Sequence, residues 1–244
     1  MKSLSRLYES VMINGDRFRD RAAEMWIGGL ERGAALANRA ITGFCSRKFM
    51  WDYNDETFMN RPLNYAYLRM PEIYLTYAEA LNELGRKDEA LEWLNKVRRR
   101  VGIADMTDEL LVANHPEVLP SYDGLIGDPK LREEILDERA RELFFEECRW
   151  YDIVRWKRED IFKKDLYGIE ITIAEAVRTE DTNNDGIISD LDDIDPYASK
   201  FHYSDPKKED DRYWKMNWDS KWYLSAFPPN EINKGYGLVQ NPGW

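Results

Sequence analysis

The chain has 244 residues, of which 43% are hydrophobic and 33% charged, and its formal net charge is −11. This composition is typical of a globular protein with one large or two small domains, and no apolar run is long enough to cross a bilayer. An acidic chain without a basic patch argues against nucleic acid as a partner. Two cysteines without a CxxC pair, and two histidines, offer little material for a zinc or nucleophilic site.

The first 66 residues carry weak structural signals. Leu4, Leu7 and Val11 are spaced as on a short helix, and Gly28–Gly29 breaks the mixed stretch that follows. The first fifteen residues do not have the continuous apolar core of a signal peptide. From Ile41 to Tyr53, aromatic and β-branched residues alternate imperfectly, which predicts a short strand.

Residues 70–102 predict two amphipathic helices joined by a tight turn. Pro71 suits the first turn of the first helix, and Gly85 suits the left-handed residue that ends it. Asp88 is placed to cap the second helix. The predicted apolar stripes are Ile73, Tyr77, Leu81 and Leu84 in the first helix, and Ala90, Leu94, Val97 and Val101 in the second.

The same hairpin fits the tetratricopeptide pattern of alternating large and small apolar residues. The matching positions are Tyr74, Ala78, Leu81, Ala90, Leu94 and Val97. Such a hairpin cannot bury its own apolar face, so we expect further helices to pack against it.

A third helix is predicted from about Pro129 to Cys148, with Trp150–Trp156 as its continuation or as a fourth helix. Before it, the proline- and glycine-rich residues 103–130 predict an irregular excursion with a short helix around Asp108–Val112. The third helix has a predicted buried stripe of Leu136, Ala140, Leu143, Phe144 and Cys148. A second stripe of Arg139, Glu142, Glu146 and Arg149 is spaced for ion pairing within the helix.

The remainder, residues 157–244, is predicted to be rich in loops. Alternation of Ile169, Ile171 and Ile173 with polar residues predicts a strand. The last 22 residues have the proline and glycine turns of an ordered surface loop.

Residues 181–192, DTNNDGIISDLD, fit an EF-hand-type calcium loop. The predicted Ca²⁺ ligands are Asp181, Asn183, Asp185, Ile187 through its carbonyl, Ser189 and Asp192. Gly186 permits the bend, and Ile188 lies where such loops place an apolar anchor. The twelfth position carries Asp instead of the usual Glu, as in dockerin loops. The alternative is a cluster of Asx turns on an acidic surface.

Aromatic residues in acidic or irregular surroundings are candidates for stacking on a sugar or another flat ligand. By that criterion we select Trp51, Tyr53, Trp214 and Trp218. The alternative for each is packing within the protein.

Six segments in a fixed order make the chain resemble the C-terminal part of a SusD/RagB-family protein. They are RKF at Arg47–Phe49, YLRMPEIYLTYAEALNELG at Tyr67–Gly85, LNKVRRRVG at Leu94–Gly102, LDERARELFFEECRWYDIVRW at Leu136–Trp156, YLSAFPPNEI at Tyr223–Ile232 and LVQNPGW at Leu238–Trp244. The resemblance implies a mainly α fold of tetratricopeptide-like hairpins with long irregular loops and little β structure. Residues 1–244 are then one SusD-like C-terminal region, with an N-terminal segment (1–66), a helical scaffold (67–156) and a loop-rich region (157–244).

The resemblance also implies a function. Such proteins are lipoproteins on the surface of the outer membrane, where they bind glycans or other nutrients for a SusC-type TonB-dependent transporter and catalyse nothing. Two alternatives remain open: a cytoplasmic helical-repeat adaptor for protein partners, and a glycan-cleaving enzyme, which would need a carboxylate pair at a defined separation.

Overall fold

Helices dominate the part of the chain that the computed structural model describes, which is residues 5–18, 21–33, 40, 42–49, 65–117, 119–120, 122–209 and 217–244. The helices are α1 (Ser5–Ser10), α2 (Met70–Glu83), α3 (Lys87–Arg100), α4 (Asp108–Asn114), α5 (Pro129–Glu142), α6 (Cys148–Arg155), α7 (Glu159–Lys163) and a final turn of helix at Pro229–Ile232. The strands are β1 (Val11–Met12), β2 (Arg17–Phe18), β3 (Arg21–Ala22), β4 (Cys45–Ser46), β5 (Leu166–Gly168), β6 (Ile171–Glu175), β7 (Lys200–Tyr203) and β8 (Lys207–Glu209). They pair antiparallel in twos: β1 with β4, β2 with β3, β5 with β8, and β6 with β7. The predicted mainly α fold with little β structure is confirmed.

The predicted hairpin is formed by α2 and α3. Gly85 follows α2 with a φ of +72°, and the N–H of Arg86 reaches back to the carbonyl of Leu81 at 2.9 Å, as in a Schellman turn. The predicted cap at Asp88 is wrong: Arg86 is the residue that precedes the helix, and Asp88 lies inside the first turn. The turn is so tight that α3 begins before Asp88, which then favours the positive end of the helix dipole.

The tetratricopeptide positions of the hairpin are buried as predicted. Ala78, Leu81, Ala90, Leu94 and Val97 are at most 1% exposed, and Tyr74 packs at their edge. They form one core with Leu75 and, on α5, Leu131 and Ile135.

The predicted apolar stripe of α2 is wrong in part. Ile73, Tyr77 and Leu84 are 44%, 45% and 65% exposed. α5 covers the side of α2 that carries Leu75 and Ala78. The three exposed residues lie on the neighbouring side of α2, at the rim of this contact.

The third helix is shorter than predicted. α5 ends at Glu142, and α6 begins at Cys148 after a turn in which Phe145 and Glu147 both have a φ of +61°. Such left-handed conformations are uncommon outside glycine and cannot continue a right-handed helix. Because the chain turns here, Phe144 is 39% exposed instead of buried.

Several charged side chains of α5 are buried and pair with other elements. Glu142 is 3% exposed, and its carboxylate binds Arg69 at 2.5 Å, Arg100 at 2.7 Å and Arg6 at 3.1 Å. Arg139 pairs with Asp152 of α6 at 2.8 Å. The predicted pairing of these residues within one helix is therefore wrong, because the helix lies in the middle of the fold and its charges face neighbouring segments.

Glu134, another buried residue of α5, shows how such a carboxylate stays ionised. Burial alone would raise its pKa, but the charge of Arg141 and hydrogen bonds from Arg141, Asn114 and His115 outweigh that effect and hold the pKa below its usual value.

A second, smaller core joins the N-terminal segment to the loop-rich region. Met12, Met25 and Trp26 pack against Ile171 of β6. The predicted strand at 169–173 is confirmed as β6, although Ile169 precedes it. Of the predicted strand at 41–53, Cys45–Ser46 pairs with β1, while residues 41 and 50–53 lie outside the described residues.

The two short predicted helices are both present. The N-terminal one is α1, Ser5–Ser10, with Val11 already in β1, and the other is α4, Asp108–Asn114. Among the described residues, no helix is both long and apolar enough to span a membrane.

We expect the variant Glu142→Gln to lower the free energy of unfolding by about 2 kcal/mol, because it removes the buried counter-charge that three arginines share. Arg6 and Arg69 keep a second carboxylate, from Glu138 and Glu146, whereas Arg100 loses its ion pair. Glu159→Gln is the matched control, since its ion pair with Lys163 is at the surface and contributes less than about 0.5 kcal/mol. Urea unfolding at pH 7 measures both. Equal losses in the two variants would contradict a structural role for the buried pairs.

Candidate functional site

The loop of residues 181–192 has the bend that a calcium-binding loop needs. Asp181 accepts two backbone N–H groups, from Asp185 at 3.2 Å and from Gly186 at 2.8 Å. Gly186 has a φ of +88°, a conformation that residues with a Cβ rarely adopt. Asp185 accepts the N–H of Ile187 at 2.9 Å. The first predicted ligand positions therefore follow one tight, hydrogen-bonded turn.

Asp192 closes this loop. The residue is buried, and its carboxylate accepts N–H groups from Thr182 at 2.8 Å, Asn183 at 3.1 Å and Ser189 at 2.7 Å. These bonds, that from Ser189 foremost, hold the pKa of Asp192 below its usual range. The residue at the twelfth position thus ties the beginning of the loop to its end, and the shorter Asp side chain is long enough for that contact.

The oxygen set of the loop suits calcium, which prefers six to eight hard oxygen ligands. The carboxylates, however, are engaged with the backbone of the loop itself. Within the described ranges, no group of three or more His, Cys, Asp or Glu side chains is arranged to hold a metal ion. To bind Ca²⁺, these carboxylates have to give up backbone N–H partners and coordinate the cation instead. The calcium site therefore stays a prediction.

The predicted apolar anchor of the loop is wrong. Ile188 is 53% exposed and Ile187 is 67% exposed. Residues 176–199 form bends and turns, so no helix of this stretch lies over the two side chains.

Of the four aromatic candidates, Trp51, Tyr53 and Trp214 lie outside the described residues. Trp218 is half-buried, and its ring stacks on Phe162 with centroids 4.4 Å apart. The geometry of Trp218 is that of packing within the protein.

A cavity of about 640 Å³ lies beside the loop, between residues 21–30 and residues 178–197, and we call it the loop cavity. Residues that line it include Arg21, Trp26, Arg178, Asp193, Asp195 and Tyr197. It combines guanidinium groups, carboxylates and a tyrosine ring that is 65% exposed. Such a mixture suits a ligand with both hydroxyl groups and an apolar face.

A larger groove of about 1120 Å³ runs between α1 and the turn that joins α5 to α6. Leu7, Phe144, Phe145 and Trp150 give it a mainly apolar lining. A polyhydroxylated ligand would leave hydroxyl groups unpaired there, so the groove is the less suitable of the two for a sugar.

The loop cavity was missed at the level of sequence because its walls come from segments about 150 residues apart. The available signal was Tyr197, an aromatic residue in the acidic, turn-rich stretch that follows the calcium-type loop. It satisfies the criterion that selected Trp214 and Trp218 and was not singled out.

The fold and these surfaces define a helical scaffold, built around the hairpin of α2 and α3, that displays long loops. The model of the SusD family matches residues 5–244, and the chain belongs to that family. This confirms the resemblance found in the sequence.

Curated relatives match only a part of this chain. A SusD-like protein of Formosa agariphila is 40% identical over 95 residues, which are 38% of this chain and 17% of that protein. A SusD-like protein of Bacteroides ovatus is 32% identical over 103 residues, which are 41% of this chain and 15% of the relative.

A solved SusD-like protein of Bacteroides fragilis has the same fold. It aligns with a TM-score of 0.62 and 26% identity over 98% of this chain. The alignment covers 38% of the solved protein, so the chain spans well under half the length of this relative.

Proposed function

We propose that this chain is a non-enzymatic glycan- or nutrient-binding component of an uptake complex in the outer membrane. The observation that carries the proposal is the match to the SusD family over residues 5–244, together with the fold shared with a solved SusD-like protein. The adaptor alternative rested on the hairpin of α2 and α3 alone. It is disfavoured because the family match extends through the loop-rich region, which a generic helical repeat does not have.

Binding of glycans can be tested on the chain itself. We expect isothermal titration calorimetry to give heats of binding with at least one class of oligosaccharide in a panel of neutral, amino and acidic sugars, without release of reducing ends. Release of reducing ends at a measurable turnover would support the glycan-cleaving alternative instead. If the chain binds no member of the panel, its proposed function is contradicted.

The proposed partner is a SusC-type TonB-dependent transporter, and the proposed location is the outer face of the outer membrane. We expect a gene for a large β-barrel transporter beside the gene of this chain, and the transporter to co-purify with the chain when both are expressed in one cell. An isolated gene, and a chain recovered without any transporter, would favour the cytoplasmic adaptor.

We also propose that residues 181–192 bind Ca²⁺ as a structural ion. Support comes from the oxygen-bearing residues at the ligand positions, from the bend at Gly186, and from Asp192, which already joins the two ends of the loop. The role of the ion would be to hold the loop, and with it one wall of the loop cavity, in a single conformation.

Calcium binding should stabilise the folded chain by about 1.4 kcal/mol at ten times the dissociation constant. We expect millimolar calcium to raise the melting temperature of the wild type but not that of Asp185→Ala. Asp190→Ala is the matched control, because Asp190 lies in the same loop at a position that does not supply a ligand. Equal shifts in the wild type and in Asp185→Ala would dismiss the site and leave the Asx-turn interpretation.

A further inference from the structure

We propose that the loop cavity is a sugar subsite that selects sugars without carboxylate or sulfate groups. This inference rests on the proposed function and adds the position of a binding site and the class of its ligand. The volume of the loop cavity, about 640 Å³, falls within the range of small-molecule sites. Three features of its lining carry the inference: an exposed aromatic ring on a held backbone, hydrogen-bonding groups, and an excess of acidic residues.

The aromatic ring is that of Tyr197, and its backbone is held in place. Oδ1 of Asp195 accepts the N–H of Tyr197 at 2.8 Å, and its Oδ2 accepts the hydroxyl of Thr179 at 2.7 Å. The N–H of Asp195 is itself bonded to the carbonyl of Val177 at 2.7 Å. Because the backbone that carries the ring is already held, a ligand that stacks on the ring has less conformational entropy to remove.

Side chains of the opposite wall also have partners behind them. Trp26 is buried and stacks on Phe201 of β7 with centroids 4.9 Å apart. Arg21 is held by two hydrogen bonds to Glu31, at 2.6 and 3.0 Å. On this wall the side chains of Arg21 and Trp26 are therefore held by partners behind them.

Groups that can bind sugar hydroxyls line the same cavity. Arg178 donates from its Nε to the carbonyl of Asp192 at 2.9 Å, which orients its guanidinium group along the wall. The hydroxyl of Thr182 and the exposed carboxylate of Asp193 lie on the same side. Guanidinium donors beside carboxylate acceptors match the paired donor and acceptor character of neighbouring hydroxyl groups.

Charge selects among sugars. Five acidic residues line the cavity, Glu24, Glu180, Asp192, Asp193 and Asp195, against two arginines, Arg21 and Arg178. The pKa of Asp195 is lowered, first by its hydrogen bond from Thr179, so it is ionised at neutral pH. A uronate or sulfated sugar would meet like charges at close range, whereas a neutral or amino sugar would not.

The test uses the 244-residue chain and a panel of neutral gluco-, manno-, xylo- and galacto-configured oligosaccharides, with oligogalacturonate as the acidic member. For the neutral oligosaccharide that the wild type binds best, we expect Tyr197→Ala to weaken binding about tenfold, since it removes the stacking surface. Tyr197→Phe keeps the ring and should bind within about threefold of the wild type. Tyr236→Ala removes a ring that is 84% exposed and outside the cavity, so it should not change binding.

Oligogalacturonate should bind at least about tenfold more weakly than the best neutral oligosaccharide. If Tyr197→Ala has the melting temperature of the wild type, a loss of oligosaccharide binding is not caused by unfolding. If Tyr197→Ala binds like the wild type, or if oligogalacturonate is preferred, the subsite is overturned while the proposed function stands. If the wild type binds no member of the panel, both are overturned.

Discussion

The buried carboxylates of α5 are the constraint on which the scaffold depends. Glu142 alone contacts arginines from three separate segments, α1, the residue before α2, and α3. Desolvating a carboxylate costs several kcal/mol unless its partners are in place, so each segment has one position that satisfies the charge. Apolar packing would tolerate small shifts of a helix, whereas these ion pairs specify its register as well as its neighbours.

The same kind of contact fixes the loop-rich region to the scaffold. Arg158, the second residue of the loop-rich region, pairs with the buried Glu133 of α5. The N–H of Ile27 bonds to the carbonyl of Ile171 at 2.9 Å, which joins the N-terminal segment to β6. The wall formed by residues 21–30 is held to β6 and β7, the strands on either side of residues 178–197, by this bond and by the stacking of Trp26 on Phe201.

Local patterns were predictable, and long-range ones were not. The hairpin of α2 and α3 follows from apolar spacing and from Gly85, all within 33 residues. The spacing of Glu142 and Glu146 is equally regular, but it is also what an exposed helix shows, and nothing in the sequence distinguishes a buried charge from a solvated one. The left-handed Phe145 and Glu147 left no signal either, because neither is a residue that favours that conformation.

The candidate sites divide in the same way. The calcium-type loop is contiguous in sequence and was predicted from the spacing of its residues. The loop cavity forms only when the chain has folded. Asp192 belongs to both: its carboxylate joins the ends of the loop, and its carbonyl accepts the hydrogen bond that orients Arg178 in the cavity wall. An ion that displaces the N–H partners of this carboxylate acts on the residue that positions Arg178. Ion and sugar would then bind with affinities that depend on each other, and by linkage the dependence is reciprocal.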